Sequence, residues 1–355
     1  MSGTSLDGID AVVASFETTP RLIASHHTSF SANLRDALNA LQSSGTDELH
    51  RMHVAANMLS AAYASCILEL LSDAKLKPEE ITAAGCHGQT VRHRPDVGYT
   101  AQIVNGALLA ELINIDVICD FRSRDIAAGG QGAPLVPAFH AALFGSDTAH
   151  RVIVNIGGIT NLTDLPPGGT VRGFDCGPGN ILMDGWIARW KNQPYDAGGV
   201  WARSGRVNET LLASLLQEPF FALRPPKSTG RDLFNLAWLE QKIGAQQLPD
   251  ADVQATLCEL TARTITNAVN VECSGVEEIF LCGGGARNVF LVERLQGLLQ
   301  RPVSPTDKLG VDVQWVEAFA FAWLAQQTVL RAPGNLSAVT GASGPRVLGA
   351  IYPAH

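Results

Sequence analysis

One carboxylate stands out in the sequence because of its surroundings. Asp175 lies in the segment GFDCGPGN, residues 173–180, among apolar residues and just ahead of a Gly-Pro-Gly turn, with Cys176 between them. Such a turn needs glycine and proline, but it does not need an acid beside Phe174. A carboxylate in an apolar setting is typical of a general base, and the alternative is a cap for the following helix. Asn180 is better placed as that cap, so the reason for an acid at Asp175 must come from the rest of the chain.

Three glycine-rich segments predict contacts with phosphate. They cover residues 3–8, 155–158 and 283–285, and each adjoins a strand-like run. Backbone N–H groups of such loops converge on an anion, and glycine permits its close approach. One such loop is weak support for a phosphate site, and three together are much stronger. The sequence has no Walker P-loop, and no G-x-G-x-x-G motif follows a strand, which disfavours those two nucleotide-binding classes.

The elements that position these segments alternate between strands and helices. Predicted strands cover residues 11–16, 21–30, 115–121, 152–156 and 278–282. Predicted helices cover about 54–71, 135–145, 209–217, 233–243, 250–270 and 315–331, with another starting near 180. Apolar strands followed by glycine turns and helices predict mainly parallel sheets covered by helices. We therefore expect two similar α/β domains facing a cleft, divided near residues 130–150, with residues 127–137 as a hinge or active-site loop.

Composition narrows the classes of function. The 355 residues are 46% hydrophobic and 17% charged, which fits about two folded domains, and the net charge of −8 disfavours nucleic acid and anionic membranes as partners. Seven cysteines without a C-x-x-C pair predict buried free thiols in a reducing compartment, with no zinc site or disulfide framework. Polar residues interrupt the apolar helix at 54–71, which argues against a membrane span, and the N-terminus does not resemble a secretory signal. We predict a cytoplasmic protein, and a homodimer is compatible with this sequence.

Seven segments in order resemble the anhydro-N-acetylmuramic acid kinases over almost the whole chain. They are MSGTSLDGID, GCHGQTVRHRP, FRSRDIAAGGQGAPLVPAFH, NIGGITNLT, GFDCGPGNILMD, PPKSTGRDLFN and CGGGARN. The resemblance implies the actin-like ATPase and sugar kinase fold, with two ribonuclease H-like α/β domains around an ATP cleft. It also implies a reaction in peptidoglycan recycling that uses ATP and Mg²⁺. Water opens the 1,6-anhydro ring of 1,6-anhydro-N-acetylmuramic acid and O6 is phosphorylated, which yields N-acetylmuramate 6-phosphate and ADP.

The predicted domain limits follow from this resemblance. The first domain covers residues 1–145, the second covers 146–331, and the tail 332–355 is expected to pack back on the first. The resemblance also places a hydrophobic strand before the first glycine-rich loop, in the middle of the first sheet. This chain starts at Met1, inside that loop, so we expect a truncated or mis-started chain of reduced stability with its motif residues intact.

The resemblance assigns roles to particular residues. Asp175 matches the catalytic aspartate. The implied ATP contacts are Gly3, Thr4, Ser5, Leu6, Asp7, Gly8, Ile9, Asp10, Asn155, Gly157, Gly158, Gly283, Gly284, Gly285 and Asn288. Asp7 is a candidate for orienting Mg²⁺, and an Asx turn is the alternative. Residues 155–158 would clamp phosphate and residues 283–288 would border adenosine, although the latter fit a simple strand-to-helix connection as well.

Five further residues are candidates for the sugar side: His87, Gln89, Arg122, Asp125 and Glu317. A guanidinium such as that of Arg122 suits the lactyl carboxylate of muramic acid, and an ion pair elsewhere is the alternative. A hydrogen-bonded structural role is equally open for His87, and Glu317 equally fits an acid in the first turn of its helix. Lys227 and Arg231 are candidates for phosphate contact, against the default of solvated loop charges.

Two other functions compete with this interpretation. The first is a kinase of the same fold that acts on acetate or an ordinary hexose. The second is an ATP-gated binding protein built like actin or the chaperone ATPases. The latter needs a peptide-binding extension or polymer contacts, and no segment of this chain is left over for them. The role of Asp175 distinguishes the first alternative from the anhydro sugar kinase. A simple sugar kinase uses its aspartate to deprotonate a hydroxyl group of the substrate, whereas opening the anhydro ring requires activation of water.

Overall fold

The protein is described by a computed structural model over residues 1–3, 6, 8–17 and 19–355. Its strands are β1 Gly8–Ser15, β2 Arg21–Ser29, β3 Ala84–Gly85, β4 Gln89–Arg94, β5 Tyr99–Ile103, β6 Val117–Cys119, β7 Arg151–Ile156, β8 Ile159–Leu165, β9 Arg172–Pro178, β10 Glu278–Cys282, β11 Val303–Pro305 and β12 Ala350–Tyr352. Its α-helices are α1 Ala32–Ala40, α2 Glu48–Ala74, α3 Gly106–Ile113, α4 Ser123–Ala127, α5 Val136–Phe144, α6 Ile181–Lys191, α7 Val200–Ser204, α8 Glu209–Leu216, α9 Leu236–Ile243, α10 Asp250–Glu272, α11 Val289–Leu299, α12 Val316–Val329 and α13 Ser337–Thr340.

The chain divides into two compact units. The first combines Met1–Leu143 with Trp315–His355, and the second is Phe144–Gln314. The predicted division differs because it placed α12 in the second domain. In the structure the ring of Phe319 lies 5.2 Å from that of Phe139, so α12 packs in the first unit. Local periodicity identifies a helix but not the core that it joins, which is why the sequence placed this helix incorrectly.

The second unit has one five-stranded sheet in the order β11-β10-β7-β8-β9. β7 pairs antiparallel with β8, β8 pairs antiparallel with β9, and β10 is parallel to both β7 and β11. This is the strand order of ribonuclease H-like domains, and the predicted α/β class is confirmed. The prediction of mainly parallel sheets is wrong here. The two-residue turn Gly157–Gly158 returns the chain at once, and so short a connection joins only antiparallel strands.

Burial explains why the second unit forms this sheet. In β7 all residues after Arg151 are buried, as expected for an inner strand covered on both faces. Helix α10 supplies much of that cover, with Leu257, Leu260 and Ile265 fully buried. The polar β8, whose sequence is ITNLTDL, was not predicted as a strand, since it lacks a continuous apolar run.

The first unit contains smaller sheets. β1 and β2 form an antiparallel hairpin, β4 and β5 form another, and β6 lies between β3 and the C-terminal β12. The tail therefore contributes a strand to this unit, with Ala350 opposite Cys119. A largely apolar groove of about 600 Å³ is lined by β1, β3 and the helices α2 and α12.

Helix α2 is long and apolar enough to cross a membrane by length and composition alone. Half of its most apolar window is buried inside the protein. Leu59, Tyr63 and Cys66 are among its fully buried residues and pack in the core of the first unit. The polar residues within α2 therefore do not by themselves rule out a membrane span. The buried residues of α2 show that it packs as a core helix of the first unit.

All seven cysteines are buried and free of disulfides, as predicted. Burial raises the pKa of the Cys86 thiol to about 11 and that of Cys258 to about 12. The thiolate is the reactive form of cysteine, so these side chains are structural in the folded protein.

Candidate active site

Asp175 lies on β9, the edge strand of the second unit, and β9 extends into the Gly-Pro-Gly segment as far as Pro178. The segment after residue 224 covers this edge. The backbone N–H of Asp175 donates to the carbonyl of Lys227 at 3.1 Å, and the N–H of Thr229 donates to Asp175 Oδ2 at 2.9 Å. Backbone and side chain of the carboxylate residue are both held by one short segment.

The environment of Asp175 changes its acidity strongly. Burial raises the pKa of the Asp175 carboxyl group to about 7, while the Thr229 N–H and the Lys227 ammonium oppose this rise. A carboxyl group with a pKa near neutrality is ionised in about half of the molecules at pH 7, and its basicity suits proton abstraction. Free aspartate, with a pKa near 4, is a far weaker base.

The Gly-Pro-Gly turn after Asp175 is tightly packed. Gly177 has a φ of +146°, and a Cβ there would lie 2.7 Å from the Phe221 ring. Below the turn, the buried Thr261 hydroxyl donates to the carbonyls of Pro178 and Gly179 at 3.0 and 3.1 Å. Asn180 stands before α6, but its side chain makes no capping bond and instead donates to the Ile156 carbonyl. This corrects the assignment of Asn180 as the helix cap.

The structure brings two of the three glycine-rich loops together in the second unit. Pairing of β7 with β10 sets Asn155 opposite Cys282, so the Gly283–Gly285 loop lies beside it. Gly283 has a φ of +79°, and a Cβ there would lie 2.4 Å from Asn155 Oδ1. A side chain is excluded at this position both by conformation and by space.

The Gly157–Gly158 turn is bonded to the start of α6. The carbonyls of Gly157 and Gly158 accept the N–H groups of residues 179–181 at 2.8–3.1 Å. These hydrogen bonds use the carbonyl groups of the turn and do not involve the N–H groups of Gly157 and Gly158. Beside it, the Thr160 hydroxyl is fully buried and has no hydrogen-bond partner among the residues described. Thr160 and Thr229 were not singled out in the sequence, because only chain folding brings them to this site.

We expect Gly179→Ala to destabilise the second unit. An added Cβ would lie 2.3 Å from the Gly157 carbonyl oxygen, which is backbone and cannot move aside cheaply. The free energy of unfolding should fall by about 1–3 kcal/mol, as is typical of overpacking. Gly157→Ala is the matched control, since its Cβ would meet nothing closer than 3.5 Å. Equal denaturation midpoints for the two variants would contradict this packing.

Asn288 serves as a helix cap. Its Oδ1 accepts the N–H of Leu291 at 3.1 Å at the start of α11. A Cβ on Gly199 would approach this same Oδ1 to 2.2 Å, so a second backbone segment lies against it. The side-chain oxygen is thus engaged in structure, and contact of Asn288 with adenosine stays a prediction.

In the first unit the buried His87 pairs with the partly buried Arg122. Arg122 donates from Nε and Nη2 to His87 Nε2 at 3.2 and 2.9 Å, and from Nη1 to the Gly132 carbonyl at 2.7 Å. Accepting at Nε2 requires the neutral ring with its proton on Nδ1. Burial and the nearby guanidinium hold the pKa of His87 well below its usual range.

Arg122 carries charge in a buried setting. Burial lowers its pKa to about 10, and Glu317 and Asp125 oppose this fall. Arg122 is in no ion pair among the described residues. Glu317 lies in the first turn of α12 and acts on Arg122 through its charge. The structure thus associates His87, Arg122 and Glu317 at one place.

Asp125 and Gln89 are placed differently from the prediction. Asp125 is fully buried, and its carboxylate accepts from the Gly132 N–H, Asn335 Nδ2 and Thr340 Oγ1 at 2.6–2.8 Å. Three donors occupy this carboxylate, so its role is to hold the loop after α4 and not to contact sugar. Gln89 is buried as well and donates to the Gly3 carbonyl at 3.2 Å, which leaves its Oε1 without a partner among the described residues.

The first glycine-rich loop is described only in part, because Thr4, Ser5 and Asp7 lie outside the described residues. Leu6 and Ile9 are buried in the core of the first unit, so only their backbone could meet a ligand. Gly8 pairs with Ser29, and Asp10 Oδ1 bonds His27 Nδ1 at 2.8 Å. These contacts fit structural roles for the side chains of Leu6, Ile9 and Asp10, and contact of this loop with ATP stays a prediction.

With this geometry established, the chain can be compared with known proteins. The family model described as anhydro-N-acetylmuramic acid kinase matches residues 1–354. The chain belongs to this family. Anhydro-N-acetylmuramic acid kinases are phosphotransferases, so the predicted enzyme class is confirmed, and the alternative of a non-catalytic binding protein is not favoured. The family name implies a small sugar as substrate.

Individual relatives agree with this membership. The anhydro-N-acetylmuramic acid kinase of Nitrosomonas europaea is 55% identical over 358 residues, which cover 100% of this chain and 98% of the relative. The enzyme of the same name from Burkholderia pseudomallei is 53% identical over 372 residues, covering 99% and 96%.

Similarity to solved structures is low. Component A of (R)-2-hydroxyglutaryl-CoA dehydratase from Acidaminococcus fermentans gives a TM-score of 0.42 at 15% identity, covering 88% of this chain and 95% of that one. A ROK hexokinase from Thermus thermophilus gives 0.34 at 12% identity, covering 90% and 100%. Scores of this size carry no inference about this protein.

Proposed function

We propose that this cytoplasmic kinase opens the 1,6-anhydro ring of 1,6-anhydro-N-acetylmuramic acid with water and transfers the γ-phosphoryl group of ATP to O6. The products are N-acetylmuramate 6-phosphate and ADP, within peptidoglycan recycling. The observation that carries the proposal is the Asp175 carboxyl group on the edge strand β9, whose pKa burial raises to about 7. The chain that holds this group belongs to the anhydro-N-acetylmuramic acid kinase family.

A single base is sufficient for this chemistry. Hydrolysis of a sugar acetal usually takes an acid for the leaving oxygen and a base for the water. In a 1,6-anhydro sugar the leaving oxygen is O6 of the same molecule. When the γ-phosphoryl group captures O6, no protein acid is needed there, and Asp175 supplies the remaining function by taking a proton from water.

Nucleotide phosphate fits the glycine-rich loops of the second unit. The Gly157–Gly158 turn uses its carbonyl groups, and not its N–H groups, in the hydrogen bonds with residues 179–181. Thr160 adds a buried hydroxyl group beside the turn. If this turn clamps phosphate, Gly157→Ala should weaken ATP binding measured by calorimetry while leaving the denaturation midpoint unchanged. The other proposed ATP contacts are residues 3–10, 283–285 and Asn288.

Magnesium neutralises charge on the transferring phosphoryl group. The described residues contain no cluster of three His, Cys, Asp or Glu side chains that could hold a metal ion. Mg²⁺ does not need such a cluster, because it is usually held by one or two carboxylates together with phosphate oxygens and water. Asp7 remains our proposed protein ligand, directly or through water.

Arg122 is the proposed partner of the lactyl carboxylate. Its guanidinium is partly buried and forms no ion pair with a described residue, so a substrate carboxylate would add a direct counter-charge to the more distant charges of Glu317 and Asp125. We expect Arg122→Gln to raise KM by about 10- to 100-fold, because this factor corresponds to the binding free energy of one hydrogen bond to a charged group. The neighbouring exposed Arg124 provides the control variant Arg124→Gln. With 1,6-anhydro-N-acetylglucosamine, which lacks the lactyl group, the Arg122 variant and the wild type should be equally poor. A full KM effect on that analogue would refute the pairing.

The function is tested by comparing substrates. With ATP–Mg²⁺, only the anhydro sugar should give a phosphorylated product, and its mass should exceed that of the substrate by one phosphoryl group (HPO₃) and one water. Equal or faster turnover of acetate or glucose would overturn the proposal in favour of another kinase of this fold.

A further inference from the structure

The segment that covers Asp175 is anchored on an aromatic cluster. Phe220, Phe221, Phe234 and Trp238 form this cluster, with ring centroids 5.2–5.9 Å apart. A Cβ on Gly177 would strike Phe221, so the same cluster also supports the turn after Asp175. The aromatic cluster therefore borders the base from the side of the turn.

Lys227 joins the aromatic cluster to Asp175. Its Nζ donates to the Phe220 and Phe221 carbonyls at 3.4 and 3.5 Å and lies 4.8 Å from the centroid of the Phe220 ring. Its own carbonyl accepts the N–H of Asp175, and two residues later Thr229 donates to the carboxylate. One residue is thus fixed to the aromatic rings by its side chain and to the base by its backbone.

The charge of Lys227 has no close counter-ion. No carboxylate in the described part of the chain lies within 4.0 Å of its Nζ. Asp175 and Cys176 on β9 and Glu272 on α10 act on it from a distance. Lys227 lines a cavity of about 550 Å³, and Arg224 and Arg263 line this cavity as well. An ammonium group held this way favours the charged form of the carboxylate that its segment covers.

We infer that Lys227 is a positioning residue that holds the Asp175 carboxyl group in place and stabilises its charged form through its own ammonium group. The inference rests on the proposed function only for its catalytic consequence. Replacing the ammonium by a neutral group removes an attraction, so protonation of Asp175 becomes easier and the base is ionised only at higher pH.

The direct test is titration of the Asp175 carboxyl carbon by ¹³C NMR in the ligand-free protein. In Lys227→Met the midpoint should rise by about one unit, as for loss of an opposite charge. Lys227→Arg should restore the wild-type midpoint because it retains the charge. Lys242→Met is the matched control, since Lys242 lies 5.7 Å from the Trp238 ring in the same aromatic cluster and does not act on Asp175.

The pH profile of kcat/KM gives the catalytic readout. The acidic limb of Lys227→Met should move upward by the same amount as the NMR midpoint, with recovery to within a few-fold of wild type on the alkaline side. A lowered plateau with an unmoved limb, or an unmoved NMR midpoint, overturns the inference. A moved NMR midpoint with an unmoved limb supports the role of Lys227 and instead overturns Asp175 as the base.

Discussion

Asp175→Asn should lose turnover by about 10²- to 10⁴-fold while retaining ATP binding, because the amide cannot accept the proton of the attacking water. The Lys227 carbonyl holds the backbone N–H of Asp175 and the Thr229 N–H holds its carboxylate, so the amide variant keeps the same backbone support. Initial rates with the anhydro sugar, together with calorimetry of ATP–Mg²⁺, measure both parts. Near-normal activity in this variant would end the assignment of Asp175 as general base.

A stability measurement on the same variant separates lost chemistry from lost folding. Burial raises the pKa of Asp175 to about 7 in the folded protein, from near 4 when unfolded. The folded state thus binds the proton more tightly, and the wild type loses stability as pH rises through 7. Asparagine carries no such penalty. The free energy of unfolding of the variant should therefore be at least as large as that of the wild type at pH 8. Below about pH 4, where Asp175 is protonated in both states, the pH-dependent difference between the two proteins should disappear.

Ring opening should depend completely on the phosphoryl donor. An alkoxide at O6 is a poor leaving group, and Asp175 acts on the water and not on O6. Enzyme alone, or enzyme with ADP, should therefore return 1,6-anhydro-N-acetylmuramic acid unchanged. With ATP–Mg²⁺ in ¹⁸O-water, mass spectrometry should find the heavy oxygen at C1 and none in the phosphate.

Two outcomes would contradict this coupling. Free N-acetylmuramic acid formed without nucleotide would show that the protein itself supplies an acid for O6. Label in the phosphate would show that water attacks phosphorus and not the sugar. Kinases commonly exclude such water from ATP by closing over their ligands.

Much of this protein was determined by the sequence alone. The ordered motifs identified the family, and the residue types around Asp175 identified a candidate base. The run VIVNI predicted β7 because a buried inner strand has a continuous apolar sequence, and the odd number of unpaired cysteines predicted free thiols. Each of these features is local, so a short window of residues contains the whole signal.

Tertiary structure decided the rest. Burial raises the pKa of Asp175 to about 7 against the opposing contacts of Lys227 and Thr229, which lie more than fifty positions away and so outside any short window of sequence. The same holds for Asp125, which resembled a sugar contact until Asn335 and Thr340 were found on its carboxylate. Helix α12 was correctly predicted as a helix but joined the other unit. Residue type and spacing specify local geometry and chemistry, whereas burial and partner choice depend on which distant segments the folded chain brings together.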